Sequence, residues 1–109
     1  MKERMFTIIW KFTVAPTMKE PFERIYGPQG EWAQLFRQDS SYRGTLLLCR
    51  EETPGEYLTI DRWTSEKAYD DFRRQHAAAY SALDAQCASL TGEEVLFGTF
   101  EEQQARPPA

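Results

Sequence analysis

The segment YLTIDRWTSEKAYDDF, residues 57–72, changes its hydrophobic period halfway along. Up to Trp63 the side chains alternate between two faces, as in a half-buried strand, and from Tyr69 onward the large apolar residues recur at helical spacing. Ser65 stands between the two patterns, where its hydroxyl suits a helix N-cap. The segment therefore predicts a strand that runs directly into a helix, which restricts the chain to folds that contain such a junction.

Three other stretches of the sequence are typical of strands. Apolar and polar residues alternate from Phe6 to Val14. In residues 42–51, four consecutive apolar side chains from Leu46 to Cys49 would point to both sides of a sheet. The turn sequence ETPGE joins this stretch to the strand that ends at Trp63, which predicts an antiparallel hairpin. A fourth strand is predicted from Val95 to Phe100.

Two helical regions connect these strands. The first begins either at a capping box of Thr17 with Glu20 or directly after Glu20. It ends near Tyr26, because Gly27 suits a left-handed cap and Pro28 cannot continue a helix, and a second short helix follows. The other region is one long amphipathic helix, with residues 77–79 as the place for any bend, and its charged run DDFRRQ is read as a solvated face. The apolar stripe of this helix consists of Tyr69, Phe72, His76, Tyr80, Leu83, Cys87 and Leu90.

The order strand, broken helix, strand, strand, helix, strand predicts the fold class. It indicates an α+β, ferredoxin-like βαββαβ domain, in which a four-stranded antiparallel sheet carries its helices on one face. We expect a single domain over residues 1–101 and a disordered polar tail over residues 102–109. Because the first two strands place apolar residues on both sides, the bare sheet face needs a cover. We therefore predict a homodimer whose sheets face each other.

Composition excludes several classes of partner. The net charge is −4 and the pI is near 5.0, with basic residues scattered among acids, so a nucleic-acid partner is not expected. No apolar run approaches the roughly 20 residues that cross a bilayer, so we expect a soluble, cytoplasmic protein without membrane contact. Cys49 and Cys87 are read as reduced, packed thiols. The chain has a single histidine and no tight carboxylate cluster, so we expect neither a metal site nor a tightly held cofactor.

Several segments resemble one known family. The βαββαβ order, residues 57–72 and the final EEVLFGTF resemble the antibiotic biosynthesis monooxygenase superfamily of dimeric α/β barrels, over residues 5 to about 101. The stretch YGPQGEWAQLF is similar to a bacterial branch whose members mostly lack an assigned reaction. The superfamily includes enzymes that oxidise polycyclic phenols without a cofactor, quinol monooxygenases, heme-degrading oxygenases and proteins with no known catalysis.

The resemblance also suggests residues for two of these branches. The branch that makes quinones from aromatic polyketides uses a Trp at the end of the third strand, an Asn four residues before it and a Tyr six residues after it. Trp63 and Tyr69 match, and Thr59 stands where the Asn would be. The heme-degrading branch uses an Asn on the first strand with a Trp and a His on the second helix. This chain has no Asn, and Phe72 occupies the Trp position.

Aromatic residues between the sheet and the long helix are candidates for pocket walls. Their alternative role is to fill the core, as aromatic residues at helical spacing usually do. The candidates for contact with a small aromatic substrate are Trp10, Phe12, Trp63, Tyr69, Phe72 and Tyr80.

Two residues are candidates for proton transfer. His76 is the only histidine, and its ordinary pKa of about 6.5 suits a base near neutrality, but it equally fits a half-buried residue bonded to a neighbour. Asp61 shares a strand face with Trp63; pointing inward it would act as a base, and pointing outward it would pair with a cation. The leading hypothesis is a cofactor-independent monooxygenase acting on a phenolic or quinol-type molecule. The alternatives are a non-catalytic dimeric barrel that binds a hydrophobic ligand, and a heme-binding or heme-degrading protein with His76 as axial ligand.

Overall fold

A four-stranded antiparallel sheet organises the chain. The computed structural model describes residues 4–103. The strands are β1 (Phe6–Thr13), β2 (Tyr42–Cys49), β3 (Glu56–Trp63) and β4 (Glu93–Glu101), in the spatial order β2-β3-β1-β4. Every neighbouring pair is antiparallel, including the predicted β2–β3 hairpin. The predicted α+β, ferredoxin-like arrangement is therefore confirmed.

The first crossover is a broken helix, as predicted. Its halves are α1 (Lys19–Tyr26) and α2 (Glu31–Phe36). Gly27 ends α1 in an extended conformation, with φ −75° and ψ 176°, so the expected left-handed cap is wrong. The glycines are needed for close approach instead, since a Cβ on Gly30 would lie 2.2 Å from the carbonyl oxygen of Ile25. Neither predicted helix start is right either, because α1 begins at Lys19 after a 3-10 turn at Pro16–Met18.

The second helical region consists of two helices rather than one bent helix. These are α3 (Glu66–Gln75) and α4 (Ala77–Cys87), and the chain leaves helical geometry at His76, with φ −114° and ψ 27°. Ser65 caps α3 as predicted, since its Oγ accepts a hydrogen bond from the backbone N–H of Ala68 at 3.1 Å. The break at His76 therefore divides the predicted single helix in two.

The core lies between the sheet and the helices. Residues on β3 alternate between buried and half-buried, and the buried set faces the helices. The largest fully buried side chains are all aromatic: Phe22, Tyr57, Trp63 and Phe72. The alternation predicted for β3 is therefore confirmed, and its buried face carries both Asp61 and Trp63.

The opposite sheet face carries apolar side chains with nothing above them in the monomer. By strand register this open face consists of Ile9, Leu46, Leu48, Leu58, Ile60, Val95 and Phe100. Leu46 and Phe100 are 54% and 45% exposed. The expectation that β2 carries apolar residues on both sides is thus correct, while the homodimer stays a prediction.

Three smaller expectations have different outcomes. Glu102, the first residue of the predicted tail, pairs with Arg62 in a two-point contact at 2.7 and 2.9 Å, and residues 104–109 lie outside the described residues. Cys49 is exposed, so only Cys87 is packed as expected. Within residues 4–103 no helix is both long and apolar enough to cross a membrane. The cytoplasmic location stays a prediction.

Candidate functional site

A narrow cavity lies between the sheet and the helices, walled mainly by aromatic rings. The volume open to the centre of a water molecule is about 30 Å³, which leaves room for about two waters. A substrate larger than that requires the rings to move apart. The lining residues are Trp10, Phe12, Tyr26, Trp32, Phe36, Thr45, Thr59, Asp61, Tyr69, Tyr80 and Glu94.

Asp61 is a carboxyl group in the wall of this cavity. The alternation of β3 turns it toward the helices, and only 8% of its surface is exposed. Burial raises the pKa of Asp61 from its ordinary 3.8 to about 6, while a hydrogen bond from Thr45 opposes the rise. The inward of the two predicted orientations is the correct one. A buried carboxyl with this pKa can exchange a proton near neutrality.

Thr45 and Tyr42 extend a chain of hydroxyl groups from Asp61. Thr45 Oγ1 donates to Asp61 Oδ1 at 2.5 Å, and the Tyr42 hydroxyl bonds in turn to Thr45 Oγ1. Thr45 is the direct cross-strand partner of Asp61, so both side chains lie on one face of the sheet. Sequence reasoning missed both hydroxyls, although a polar residue just before the run of leucines was a usable signal.

Arg73 joins two tyrosines of the cavity wall. Its Nη1 donates to the Tyr69 hydroxyl at 3.0 Å, and its guanidinium carbon lies 3.8 Å from the centre of the Tyr80 ring. The predicted solvated face is therefore only partly correct: Arg74 pairs with Asp71 at the surface, whereas Arg73 turns to the aromatic rings. Because Tyr69 accepts a bond from a cation, its own proton is a stronger donor toward the cavity.

Trp32 is a wall residue whose buried N–H has no well-aligned acceptor among the described residues. It packs against Tyr80 with the ring centres 4.9 Å apart and lines the cavity. The indole N–H lies near the Tyr26 hydroxyl and the Cys87 thiol and opposes the rise that burial causes in the pKa of each, but among the described residues neither contact has the alignment of a good hydrogen bond. A buried unpaired donor is costly, and an acceptor oxygen on a ligand would satisfy it.

The sequence-predicted site residues fall into two groups. Those that line the cavity are Asp61, Trp10, Phe12, Tyr69 and Tyr80; those that do not are Trp63, Phe72 and His76. Trp63 and Phe72 are completely buried in the core. His76 is half-buried at the break between α3 and α4 and stacks on Phe72, with the ring centres 4.6 Å apart. Among residues 4–103 no three potential metal-ligating side chains gather at one place.

Comparison with known proteins identifies similar folds. No protein-family model matches the sequence, and no curated protein matches it. The solved structure of SnoaB, a cofactor-independent oxygenase from Streptomyces nogalater, matches with a TM-score of 0.65 and 22% identity, over 96% of this chain and 99% of that one. This chain has the fold of that oxygenase.

Two further structures show how widely the fold occurs. A Bordetella bronchiseptica protein, provisionally named an antibiotic biosynthesis monooxygenase, matches with a TM-score of 0.68 and 20% identity, over 94% of this chain and 99% of that one. A conserved Methanosarcina mazei protein, whose name states no reaction, matches with a TM-score of 0.63 and 15% identity, over 94% and 96%. The predicted resemblance is thus confirmed at the level of the fold, and chemistry must be argued from the site.

Proposed function

We propose that this protein is a cofactor-independent monooxygenase acting on a small aromatic molecule of phenolic or quinol type. The observation that carries the proposal is the carboxyl of Asp61, which lies in an aromatic cavity with its pKa raised to about 6. A base poised near neutrality suits deprotonation of an acidic hydroxyl group. The aromatic walls favour a flat, electron-rich ring as the bound molecule.

The proposed reaction uses the substrate as its own source of electrons. Asp61 takes a proton from a phenolic hydroxyl, and the resulting anion passes an electron to molecular oxygen. One oxygen atom ends on the ring carbon and the other leaves as water with two hydrogens from the substrate, so the substrate supplies all four electrons. The protein provides a dry site, orientation and the base.

Two hydrogen-bond donors of the wall support this assignment. The Tyr69 hydroxyl, which accepts a bond from Arg73, can donate to a substrate oxygen, and the Nε1 of Trp32, another wall residue, has no well-aligned acceptor of its own within residues 4–103. Such donors stabilise negative charge that develops on oxygen in a site with little water. The cavity therefore offers both an acceptor for the substrate proton and donors for the anion left behind.

Oxygen consumption tests the proposal. Wild type is assayed with a panel of phenols and hydroquinones beside Asp61→Asn and His76→Gln, since both residues were candidate bases. Asp61→Asn is expected to lose about 10²–10⁴-fold in rate. His76→Gln is expected to retain activity, because His76 does not line the cavity. Equal rates for wild type and Asp61→Asn would rule out Asp61 as the base.

A non-catalytic dimeric barrel that binds a small hydrophobic molecule is the second candidate. The observation in its favour is Thr59, which lines the cavity where the resemblance places an amide side chain. Saturable binding of hydrophobic aromatic compounds, with no oxygen uptake across the panel, would establish this candidate in place of the enzyme. His76 packs on Phe72 away from the cavity, so the heme alternative is not part of the proposal.

We also propose that two chains pair through the open face. The face carries apolar side chains from all four strands, and water contact with such a patch is unfavourable. Nearby charge is neutralised, because Arg62 holds Glu102 in a two-point contact that also lowers the pKa of Glu102. A second copy presents the same apolar surface and makes a self-complementary cover.

A further inference from the structure

We propose that Thr45 and Tyr42 are positioning residues for Asp61, acting through a one-way hydrogen-bond chain that holds Oδ1 and leaves Oδ2 free for the substrate. The inference rests on the proposed function, because it gives these hydroxyls a task beside the proposed base. The task is to fix the direction of the carboxylate and to stabilise its charged form inside an aromatic cavity.

The direction of the chain follows from proton counting. Thr45 Oγ1 carries one hydrogen and donates it to Asp61 Oδ1 at 2.5 Å. The contact between Tyr42 and Thr45 can then only be a donation from the Tyr42 hydroxyl to Thr45 Oγ1. Burial raises the pKa of Tyr42, which keeps this phenol protonated and available as a donor. Both donors therefore point toward the carboxylate.

A β-bulge in β2 makes this chain of hydrogen bonds possible. Tyr42 and Thr45 are three positions apart, so in a regular strand they would point to opposite faces of the sheet. The register of β2 shifts between Tyr42 and Gly44, and Tyr42 and Thr45 become partners of Trp63 and Asp61, which share the inner face. Gly44 has φ +117°, a conformation that favours glycine. The inserted residue thus brings the two hydroxyls to the same side.

The groups around Asp61 explain why this hydrogen-bond chain matters for its carboxylate. The titratable groups that line the cavity with Asp61 are Tyr26 from α1, Tyr69 from α3, Tyr80 from α4 and Glu94 from β4, and Tyr42 from β2 stands behind Thr45. None of these is a cation. Among the described residues the bond from Thr45 is the only side-chain hydrogen bond to the carboxylate, and Oδ2 has none. Oδ2 is the oxygen left for a substrate proton.

Titration of Asp61 by carbon-13 NMR of its labelled carboxyl group tests the inference without a substrate. Thr45→Val removes the donor at nearly constant volume, and the pKa of Asp61 is expected to rise by about one or more. Thr45→Ser restores the hydroxyl and is expected to return the pKa to its wild-type value. Tyr42→Phe should give a smaller rise in the same direction, since it weakens the donor only indirectly.

Thr59→Val is the matched control. Thr59 is a buried threonine that, like Thr45, lines the cavity, but its hydroxyl makes no hydrogen bond to Asp61. Its valine variant is expected to leave the pKa of Asp61 near the wild-type value. A rise of the same size in Thr45→Val and Thr59→Val, or no rescue by Thr45→Ser, would overturn the inference.

Activity supplies a separate measurement. In an active enzyme, the pH at which kcat/KM reaches half its plateau should move upward in Thr45→Val and return in Thr45→Ser. If Thr45→Val raises the pKa of Asp61 in the NMR titration but leaves the pH profile of kcat/KM unchanged, the hydrogen-bond chain has no role in the reaction. Absence of oxygen uptake by wild type would remove the proposed function, and the NMR titration would still decide whether Thr45 positions the carboxylate.

Discussion

Asp61 and Trp63 lie two residues apart on the same face of β3, yet only Asp61 reaches the cavity. Trp63 is completely buried and packs against four aromatic rings, those of Phe36, Tyr42, Tyr69 and Phe72. The rings of α2 and α3 close over the end of β3 and leave the space beside Asp61 open. Two residues on the same face of one strand therefore have different surroundings: Asp61 borders the cavity, and Trp63 belongs to the core.

The rate of the proposed reaction should depend on the ionisation of Asp61. Because the base must be charged to accept a proton, kcat/KM is expected to fall as the pH drops below about 6. The measurement is oxygen uptake at low substrate concentration between pH 4.5 and 8. A rate that is flat across this range in wild type would contradict Asp61 as the base.

Asp61→Asn should stabilise the fold at neutral pH. The folded pKa of about 6 lies above the ordinary 3.8, so the folded state holds the proton more tightly and stability falls as pH rises from about 4 to 6. This difference corresponds to about 3 kcal/mol, which the asparagine avoids at pH 7. Urea unfolding of both proteins at pH 4 and pH 7 measures it. If the free energies of unfolding of wild type and variant differ by the same amount at both pH values, the prediction is refuted.

Trp63→Phe should affect stability more than activity. The substitution removes part of a buried indole, which we expect to lower the free energy of unfolding by about 1–3 kcal/mol. The loss is reduced because the indole Nε1 has no hydrogen-bond partner among the described residues. Thermal unfolding and kcat/KM are measured together. A loss of kcat/KM greater than about tenfold in a stably folded variant would indicate substrate contact by Trp63, as the family resemblance suggests.

Arg73 and Arg74 form a matched pair for testing the tyrosine wall. Arg73→Gln removes the cation from Tyr69 and Tyr80, and we expect kcat/KM to fall by about three- to tenfold, as for loss of one charge-assisted contact. Arg74→Gln removes a surface ion pair with Asp71 and is expected to change little. Similar losses in both variants would show that the effect comes from the charge of α3 as a whole.

The open face should control self-association. Leu46→Glu places a charge on the apolar surface of the proposed interface, and its dimer dissociation constant is expected to rise by about tenfold or more. Ser81→Glu adds the same charge to the exposed side of α4 and serves as the control. Light scattering after size-exclusion chromatography gives the mass. A monomeric wild type at micromolar concentration would refute the proposed pairing.

Local periodicity was sufficient to predict the four strands, the two helical regions and their order. Alternation identified β3 and the face that Asp61 shares with Trp63, Ser65 was recognised as a cap, and the break after Tyr26 was expected from Gly27 and Pro28. These features depend on residues close together in the chain, where φ/ψ preferences and side-chain spacing act directly. The amphipathic stripe through His76 hid the break there, because the residues on both sides keep helical spacing.

Contacts between distant residues decided the site. Thr45 and Asp61 are 16 positions apart and meet because of strand register, and the bulge between Tyr42 and Gly44 brings Tyr42 to the same face. Arg73 lies over the Tyr80 ring and contacts the Tyr69 hydroxyl, which the charged run in the sequence did not reveal. By itself the sequence determined which segments are strands and helices, since each is specified within a few residues. Only the tertiary structure decided which side chains share the cavity, because that depends on how separate elements pack against one another.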